Sequence, residues 1–183
     1  MFNDIIAAFK QQYTNSDSIA SLYPNYYLFN RLDYDVSGLL LYVSKHVLNI
    51  FCFRKLYYAV IYGFFYNCFS IHSICNYKYS LSRIYLVSYL HNLNISIVKI
   101  EIITGRKNQI RKQLSLLGYP IVLDSRFGNR LLDNFLKFKT PYEGIQLFPF
   151  NLSIMYGNNC IPSLILKWLY QKKGKQYQRK INC

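Results

Sequence analysis

Local patterns in the sequence agree in outline with an α+β fold, on three observations. A helical pattern, in which Ile110, Leu114 and Leu117 recur at i, i+4 and i+7, occurs late in the chain. An Asn-rich turn at residues 91–94 joins two strand-like runs, as in a β-hairpin. Apolar runs of strand length recur at residues 26–29, 39–43, 56–60, 83–87 and 95–103. These elements agree in outline with strands that pair mostly antiparallel and carry a helix.

The remaining segments are predicted in chain order. Residues 1–21 are interpreted as a leader with one short helix over residues 3–13, and Pro24 marks the turn before the first strand. Residues 44–55 are expected to form a short helix or a loop. In the run 95–103 neither face is cleanly polar, which indicates a central strand.

Charge and length indicate one basic domain. The 183 residues carry 22 basic and 8 acidic side chains, a formal charge of +14, which implies a polyanionic partner. We expect a domain over residues 22–171, with a helix at 162–171 that buries Trp168, and then a basic tail over residues 172–183. The basic side chains of that tail are Lys172, Lys173, Lys175, Arg179 and Lys180.

Several classes of protein are disfavoured. The five cysteines form no C-x-x-C pair and the three histidines have no ligand spacing, so we expect no metal site and a reducing compartment. The N-terminus lacks an early basic cluster and does not resemble a secretory signal. The apolar stretch 56–75 is long enough for a membrane span, but its tyrosines favour buried strands.

The first stretch with chemical content reads N-R-L-D-Y-D-V-S-G-L-L-L at residues 30–41. Asp33 lies between two apolar strands, and a buried carboxylate is costly unless it is paired or takes part in chemistry. The simpler interpretation is an acid that caps a turn beside Ser37 and Gly38.

The second stretch covers residues 104–128 and contains the predicted helix. Thr104 can cap its start, and Gly118 is placed for a left-handed stop. Arg106 and Lys107 cluster at the helix start, where phosphate binds well. Arg111 lies partly on the same inner side of the helix as Ile110. An arginine that points inward needs an anion as partner, and Asp33 is the candidate. The other interpretation is a solvated helix charge.

Both stretches resemble the signatures of the RluA-type RNA pseudouridine synthases. The first family signature is usually H-R-L-D-x-x-T-S-G-L-L-L. The second is typically T-G-R-x-H-Q-I-R-x-H-L-x-x-x-G-x-P-I-x-G-D-x-x-Y-G, and this chain reads T-G-R-K-N-Q-I-R-K-Q-L-S-L-L-G-Y-P-I-V-L-D-S-R-F-G. A third match is K-L-Y-Y-A at residues 55–59, similar to the family's K-x-Y-x-A. The resemblance covers roughly residues 22–130. It implies a largely antiparallel mixed sheet flanked by helices, with a central RNA-binding cleft.

The resemblance also implies a function and its residues. It makes Asp33 the catalytic carboxylate, Arg111 the cation that keeps it ionised, and Tyr57 the ring that stacks on the target uracil. No metal or organic cofactor is needed for that chemistry. We expect RNA to contact Arg31, Arg106, Lys107, Gln109, Lys112, Lys172, Lys173 and Lys175. The expected substrate is a uridine of ribosomal RNA, with transfer RNA as the other possibility and ribosomal particles as further partners.

Departures from the family leave alternatives open. Asn30, Asn108 and Gln113 stand where the family usually has His, and no appended RNA-binding domain of the S4 kind is visible. One alternative is an RNA-binding ribosomal or ribosome-assembly protein that has lost turnover. A membrane-associated basic protein would explain the charge but none of the motifs. Because Asp33, Tyr57 and Arg111 are all kept, we favour an active, reduced enzyme. We expect a monomer, in a bacterial cytoplasm or an organellar matrix.

Overall fold

The computed structural model describes residues 5–10, 21–22, 24–47, 50–66, 69–75, 77–140, 143–156, 159–161 and 179–180. It divides into two compact units, Met1–Phe53 with Pro149–Cys183, and Arg54–Phe148. The strands are β1 (Ile5–Lys10), β2 (Tyr26–Leu28), β3 (Gly38–Ser44), β4 (Ile50–Tyr62), β5 (Phe69–Cys75), β6 (Lys78–Leu90), β7 (Ile95–Ile102), β8 (Leu147–Tyr156), β9 (Asn159–Ile161) and β10 (Arg179–Lys180). The described residues contain two α-helices, α1 (Gln109–Leu116) and α2 (Arg130–Lys139), and a 3₁₀ turn at His91–Leu93.

The first unit contains a four-stranded sheet in the order β10-β1-β3-β2. β3 is central to the unit's core, because it pairs antiparallel with β1 from Gly38 to Val43 and with β2 from Tyr42 to Ser44. Leu40 and Tyr42 on β3 are fully buried, and Tyr26, Leu28 and Leu32 pack against them. The loop between β2 and β3, which carries Asp33, is therefore bounded by two paired strands.

The second sheet has six strands in the order β5-β6-β7-β4-β8-β9, and β4 and β8 each cross the boundary between the units. β6 and β7 form the predicted hairpin, and Asn94 at its turn takes the left-handed conformation with φ of 49°. β7 lies between β6 and β4, so the prediction of a central strand is confirmed. Its buried Val98 and Ile100 belong to the core of the second unit.

Helix α1 begins later than predicted and ends as predicted. Its N-cap is Asn108, in the left-handed conformation, and Thr104 instead accepts a hydrogen bond from the Leu81 N–H. The end follows the expectation for Gly118, whose φ of 80° suits a residue without Cβ. Ile110 and Leu114 are buried, which confirms the predicted inner stripe at those two positions, whereas Leu117 is exposed.

Helix α2 was not predicted from the sequence. Asn129 caps it, since the side chain accepts hydrogen bonds from the N–H groups of Leu131 and Leu132. Only Asp133 and Leu136 of this helix are buried. The apolar residues Leu131, Phe135 and Phe138 recur at helical spacing, but they lie on the exposed side of the helix.

Three other expectations have clear outcomes. The helix predicted over residues 3–13 is wrong where the structure describes it, because β1 is a strand paired with β3. The helix or loop predicted over residues 44–55 is wrong from residue 50 onward, where β4 begins. The tyrosine-rich stretch 56–75 contributes to β4 and β5, as expected, and no described helix is long and apolar enough to cross a membrane. The helix predicted at 162–171 lies outside the described residues.

Candidate active site

Asp33 occupies a tight turn in the first unit. The Val36 N–H donates to the Asp33 carbonyl at 3.0 Å, closing a four-residue turn between β2 and β3. The Asp33 side chain is half-buried, whereas those of Arg31 and Tyr34 are exposed. A turn of this kind fixes the backbone of Asp33 while its side chain stays partly accessible.

A buried lysine clamps this turn. The Lys10 Nζ donates to the carbonyl oxygens of Asp33, Tyr34 and Val36 at 3.1, 2.9 and 2.9 Å, and Lys10 is only 1% exposed. Burial lowers the pKa of Lys10 from its usual 10.5, while the negative charges of Asp35 and Asp33 oppose that effect. Sequence analysis missed Lys10 because it lay in the segment interpreted as a leader. The one signal was a single lysine at the end of an apolar run.

Asn30 and Gly38 fix the two ends of the same loop. The Asn30 side chain donates to the Leu39 carbonyl at 2.9 Å and accepts from the Leu41 N–H at 2.7 Å. A side chain at Gly38 would collide with the Pro149 ring and Leu32, so only glycine fits there. Asn30, which stands where the family usually has His, thus connects this loop to the backbone of β3.

Arg111 of the second unit is buried against a carboxylate. Its Nε and Nη2 donate to the two oxygens of Asp124 at 2.8 and 2.7 Å, and both side chains are at most 1% exposed. The Nη1 donates to the Asn108 side chain at 3.3 Å, and the guanidinium lies 5.2 Å from the centre of the Phe127 ring. The expectation that Arg111 points inward and needs an anion is confirmed, and the anion identified in its unit is Asp124.

Asp124 was missed as a partner, although it falls in the second signature. Its Oδ1 also accepts from the N–H groups of Arg126 and Phe127 at 3.0 and 3.1 Å. The carboxylate therefore organises the loop 124–128 as well as the guanidinium. The signal that could have identified it was its identity as one of only eight acidic residues, located after an apolar run. The expected pairing of Asp33 with Arg111 would join the two units and stays a prediction.

Tyr57 projects from β4, where it is paired in register with Ile100 of β7 and is half-buried. Its neighbours on the strand, Leu56 and Ala59, are buried in the core. The tyrosine is therefore held on the backbone of a central strand, so its main chain is rigidly placed.

The residues expected to contact RNA differ in how far their side chains are exposed to solvent. Arg31, Arg106 and Lys107 are exposed and Lys112 is half-buried. Lys172, Lys173 and Lys175 lie outside the described residues.

Gln109 requires a correction, because it is only 3% exposed and its amide is fully used inside the protein. Its Nε2 donates to the Leu81 carbonyl and the Ser82 hydroxyl, and its Oε1 accepts from the Arg106 N–H and the Thr104 hydroxyl. Gln109 therefore holds the segment of Arg106 and has no amide atom left for RNA.

Two solved human structures have the same fold. Human RNA Pseudouridylate Synthase Domain Containing 1 aligns with a TM-score of 0.69 and 19% identity, covering 87% of this chain and 78% of that chain. Human RNA Pseudouridylate Synthase Domain Containing 4 aligns with a TM-score of 0.58 and 16% identity, covering 82% and 80%. At these identities the likeness concerns the fold alone, and it confirms the predicted α+β, pseudouridine synthase class of fold.

Sequence comparison then identifies the family. A family model described as RNA pseudouridylate synthase matches residues 7–116. The chain belongs to the RNA pseudouridylate synthase family. A curated relative, Ribosomal large subunit pseudouridine synthase C of Buchnera aphidicola subsp. Baizongia pistaciae (strain Bp), is 50% identical over 44 residues. That match covers 24% of this chain and 14% of the relative, so the chain spans only a small part of the relative's length.

Proposed function

We propose that this chain is an active RNA pseudouridine synthase that converts a uridine of ribosomal RNA to pseudouridine. The observation that carries the proposal is the turn at Asp33, which Lys10 holds through three carbonyl oxygens while the carboxylate stays partly accessible. Pre-organising a reactive group in this way is what catalysis requires of a scaffold.

The reaction is an isomerisation and needs no co-reactant. The bond from uracil N1 to ribose breaks, the base rotates, and its C5 bonds to the same ribose carbon while the C5 proton is lost and N1 gains one. Cleavage builds positive charge on the ribose. The Asp33 carboxylate either stabilises or traps that ribose, or it removes a ribose proton. Both routes require Asp33 to be ionised.

Arg111 and Tyr57 complete the proposed machinery. Asp124 accepts hydrogen bonds from Nε and Nη2 of the Arg111 guanidinium, and the resemblance to the family implies a second anion for this cation. In the proposal that second anion is Asp33, kept ionised by the cation once substrate excludes water. Tyr57 stacks on the target uracil and assists proton transfer. Metal or organic cofactors have no part in the proposed reaction.

RNA binding in the proposal uses basic side chains. Arg106 and Lys107 precede α1, with Arg106 held by the Gln109 side chain, and they contact phosphates together with Lys112. Arg31, one of the exposed residues beside Asp33, fills the space that the uridine leaves when it flips out of its stack. The tail lysines, Lys172, Lys173 and Lys175, add sequence-independent affinity.

Ribosomal RNA is the proposed substrate class. The name of the Buchnera relative, which refers to the large ribosomal subunit, supports it. The protein would then act where ribosomes are assembled, in a bacterial cytoplasm or an organellar matrix, as a monomer that meets RNA alone or within ribosomal particles.

The test is pseudouridine mapping of host RNA in cells that carry the native chain, Asp33→Asn or Asp35→Asn. Asp35 is the matched control, because it lies in the same turn and its change also removes one negative charge. We expect one site to vanish with Asp33→Asn and to persist with Asp35→Asn. If no site depends on Asp33 while the protein still binds RNA, the chain is an RNA-binding protein without turnover and the proposal fails.

A further inference from the structure

Helix α2 carries an exposed apolar strip. Leu131, Phe135 and Phe138 recur at i, i+4 and i+7 and so share one side of the helix, with exposures of 82%, 57% and 91%. Leu132, 41% exposed, lies beside them. We call these four residues the outer strip of α2. Leaving a strip of this kind in water is unfavourable, so it indicates a surface that binds something.

The exposed charges on helix α2 and on the loop directly before it are all positive. Between residues 125 and 140 the exposed charged side chains are Arg126, Arg130, Lys137 and Lys139. Asp124 and Asp133 are buried and hydrogen-bonded, and the exposed acid that follows the helix is Glu143, three residues after its C-cap Thr140. The Lys139 Nζ lies 4.4 Å from the centre of the Phe135 ring, so one cation already stacks on one of the rings. Exposed rings next to exposed cations complement a polyanion that carries flat bases.

Helix α2 is fastened to the loop that holds Arg111. Its cap, Asn129, follows directly after the loop 124–128, which is organised by Asp124. The Asp133 Oδ1 accepts from the Leu123 N–H and from the Tyr62 hydroxyl, both at 2.7 Å. Leu136 packs with Leu123 in the same core cluster. The strip is therefore carried by the segment that positions a proposed active-site residue.

We propose that the outer strip of α2 binds a single-stranded part of the substrate RNA, with bases stacked on Phe135 and Phe138. Arg130, Lys137 and Lys139 contact the phosphates on either side. Stacking of this kind tolerates any base, so the strip contributes affinity for unpaired RNA and no sequence preference. The inference rests on the proposed function, because the ligand of the strip is part of the RNA that we propose as the substrate.

The experiment measures binding of the full chain to a fluorescein-labelled, mixed-sequence single-stranded RNA of 20 nucleotides, and to the same sequence as a duplex. The variants are Phe138→Ala, Phe138→Leu and Phe138→Trp, with the same three changes at Phe135. Tyr66→Ala is the matched control, since Tyr66 is an aromatic residue of the same unit that is 68% exposed. These side chains are exposed, so the variants are expected to fold, and a thermal melt checks this.

We expect Phe138→Ala and Phe138→Leu to weaken single-strand binding by about 5-fold or more, which is the lower range of base stacking. Phe138→Trp should retain affinity, because it keeps a π-face. Duplex binding and the Tyr66→Ala control should change little. Lys139→Gln should lower the slope of log K against log salt by about 0.7, the value of one phosphate contact on a single strand.

Other outcomes would overturn the inference. Unchanged RNA binding in both alanine variants would do so directly. If Leu restores binding as well as Trp does, the strip buries apolar surface and does not stack bases. Vesicles of phosphatidylcholine and phosphatidylserine at three to one test a membrane surface, and sedimentation tests a second copy of the chain. An alanine variant that alters either of these and leaves RNA affinity unchanged would assign the strip to that partner instead.

The same variants separate this inference from the proposed function. Asp33→Asn should abolish pseudouridine formation and leave RNA affinity unchanged, whereas Phe138→Ala should reduce RNA affinity with Asp33 intact. If Phe138→Ala loses RNA affinity and no pseudouridine depends on Asp33, the outer strip binds RNA but the proposed enzymatic activity is wrong. If pseudouridine depends on Asp33 while Phe135→Ala and Phe138→Ala bind RNA normally, the proposed enzymatic activity is correct and RNA binding by the outer strip is wrong.

Discussion

Lys10 and Asp33 are 23 residues apart in the chain, yet the lysine determines the backbone position of the carboxylate. An ammonium group donates at most three hydrogen bonds, and all three go to carbonyl oxygens of one turn. Burying such a group is costly unless it is fully bonded. Full bonding here makes the turn rigid, which is the condition for a positioned catalytic group.

We expect Lys10→Met to lower the free energy of unfolding by about 2 kcal/mol or more, because three buried or part-buried carbonyls lose a charged donor. Urea unfolding measures this. The matched control is Lys45→Met, since the Lys45 Nζ also donates to a carbonyl, that of Pro24, but the lysine is exposed. The control should stay within about 0.5 kcal/mol of the native chain. Equal effects of the two changes would show that Lys10 does not clamp the turn.

Arg111 shows the same principle for an ion pair. Both partners are almost fully buried and meet in two parallel hydrogen bonds, so the pair is geometrically specific. The contrast within this chain is Glu101, whose partners Arg54 and Arg83 are each about half exposed, at 3.1 and 3.6 Å. Exposed pairs of that kind contribute little to stability. The buried pair therefore positions the guanidinium, whereas the exposed pairs contribute little to the free energy of unfolding.

Tyr62 connects β4 to helix α2 and should make stability pH-dependent. Burial, and then the hydrogen bond and negative charge of Asp133, raise the pKa of Tyr62 above its usual 10.0. The folded state thus keeps a proton that the unfolded state loses. This contribution to stability is complete below pH 10 and is lost as pH rises above it.

We expect the unfolding free energy of the native chain to fall more steeply than that of Tyr62→Phe above pH 10, by up to about 1.4 kcal/mol per pH unit. Urea unfolding between pH 9 and pH 11.5 measures the two slopes. Tyr79→Phe is the matched control, because Tyr79 is exposed and bonds the His72 ring at the surface. Identical slopes for the native chain and Tyr62→Phe would contradict the assignment.

At the scale of elements, α1 is joined to the β5–β6 hairpin by amides and not by apolar contacts alone. The Gln113 amide donates to the hydroxyls of Ser73 and Ser80 and accepts from Ser82, while Gln109 bonds Leu81 and Ser82. A network of this kind fixes one register of helix on sheet, because every member needs its partner.

Gln109→Met keeps the side-chain volume and removes four hydrogen bonds. We expect it to lower the unfolding free energy by about 2 kcal/mol, and to weaken RNA binding only through the loosened segment of Arg106. Thermal melts and RNA binding on the same preparation measure both effects. If RNA affinity falls while stability is unchanged, Gln109 contacts RNA directly and the structural role is wrong.

At the scale of the whole molecule, the net charge of +14 would speed encounter with the RNA that we propose as the partner. Removing the tail outright would also remove β10, because Arg179 pairs with Ala7 of β1. Charge neutralisation is the cleaner change. We expect Lys172→Gln, Lys173→Gln and Lys175→Gln together to reduce the slope of log K against log salt by up to about 2, three single-strand phosphate contacts. Binding titrations between 50 and 300 mM salt measure it, and an unchanged slope would exclude these lysines.

The sequence by itself determined the elements whose pattern is local. The central strand β7 follows from an apolar run in which neither face is cleanly polar, the turn at Asn94 from its turn residues, and the left-handed stop at Gly118 from the absence of a Cβ. The two signatures determined the family, and with it the fold. Each of these signals lies within a dozen or so neighbouring residues, which is why it can be identified without coordinates.

Only the tertiary structure decided which distant residues pair in strands, hydrogen bonds and ion pairs. An apolar run such as residues 5–9 is compatible with helix or strand, and pairing with β3 makes it a strand. Lys10 became a clamp because β1 brings it to a turn more than 20 residues away, and Arg111 met Asp124 because the chain folds back after α1. Hydrogen bonds and ion pairs act across a few ångströms of space. Separation along the chain therefore does not reveal them.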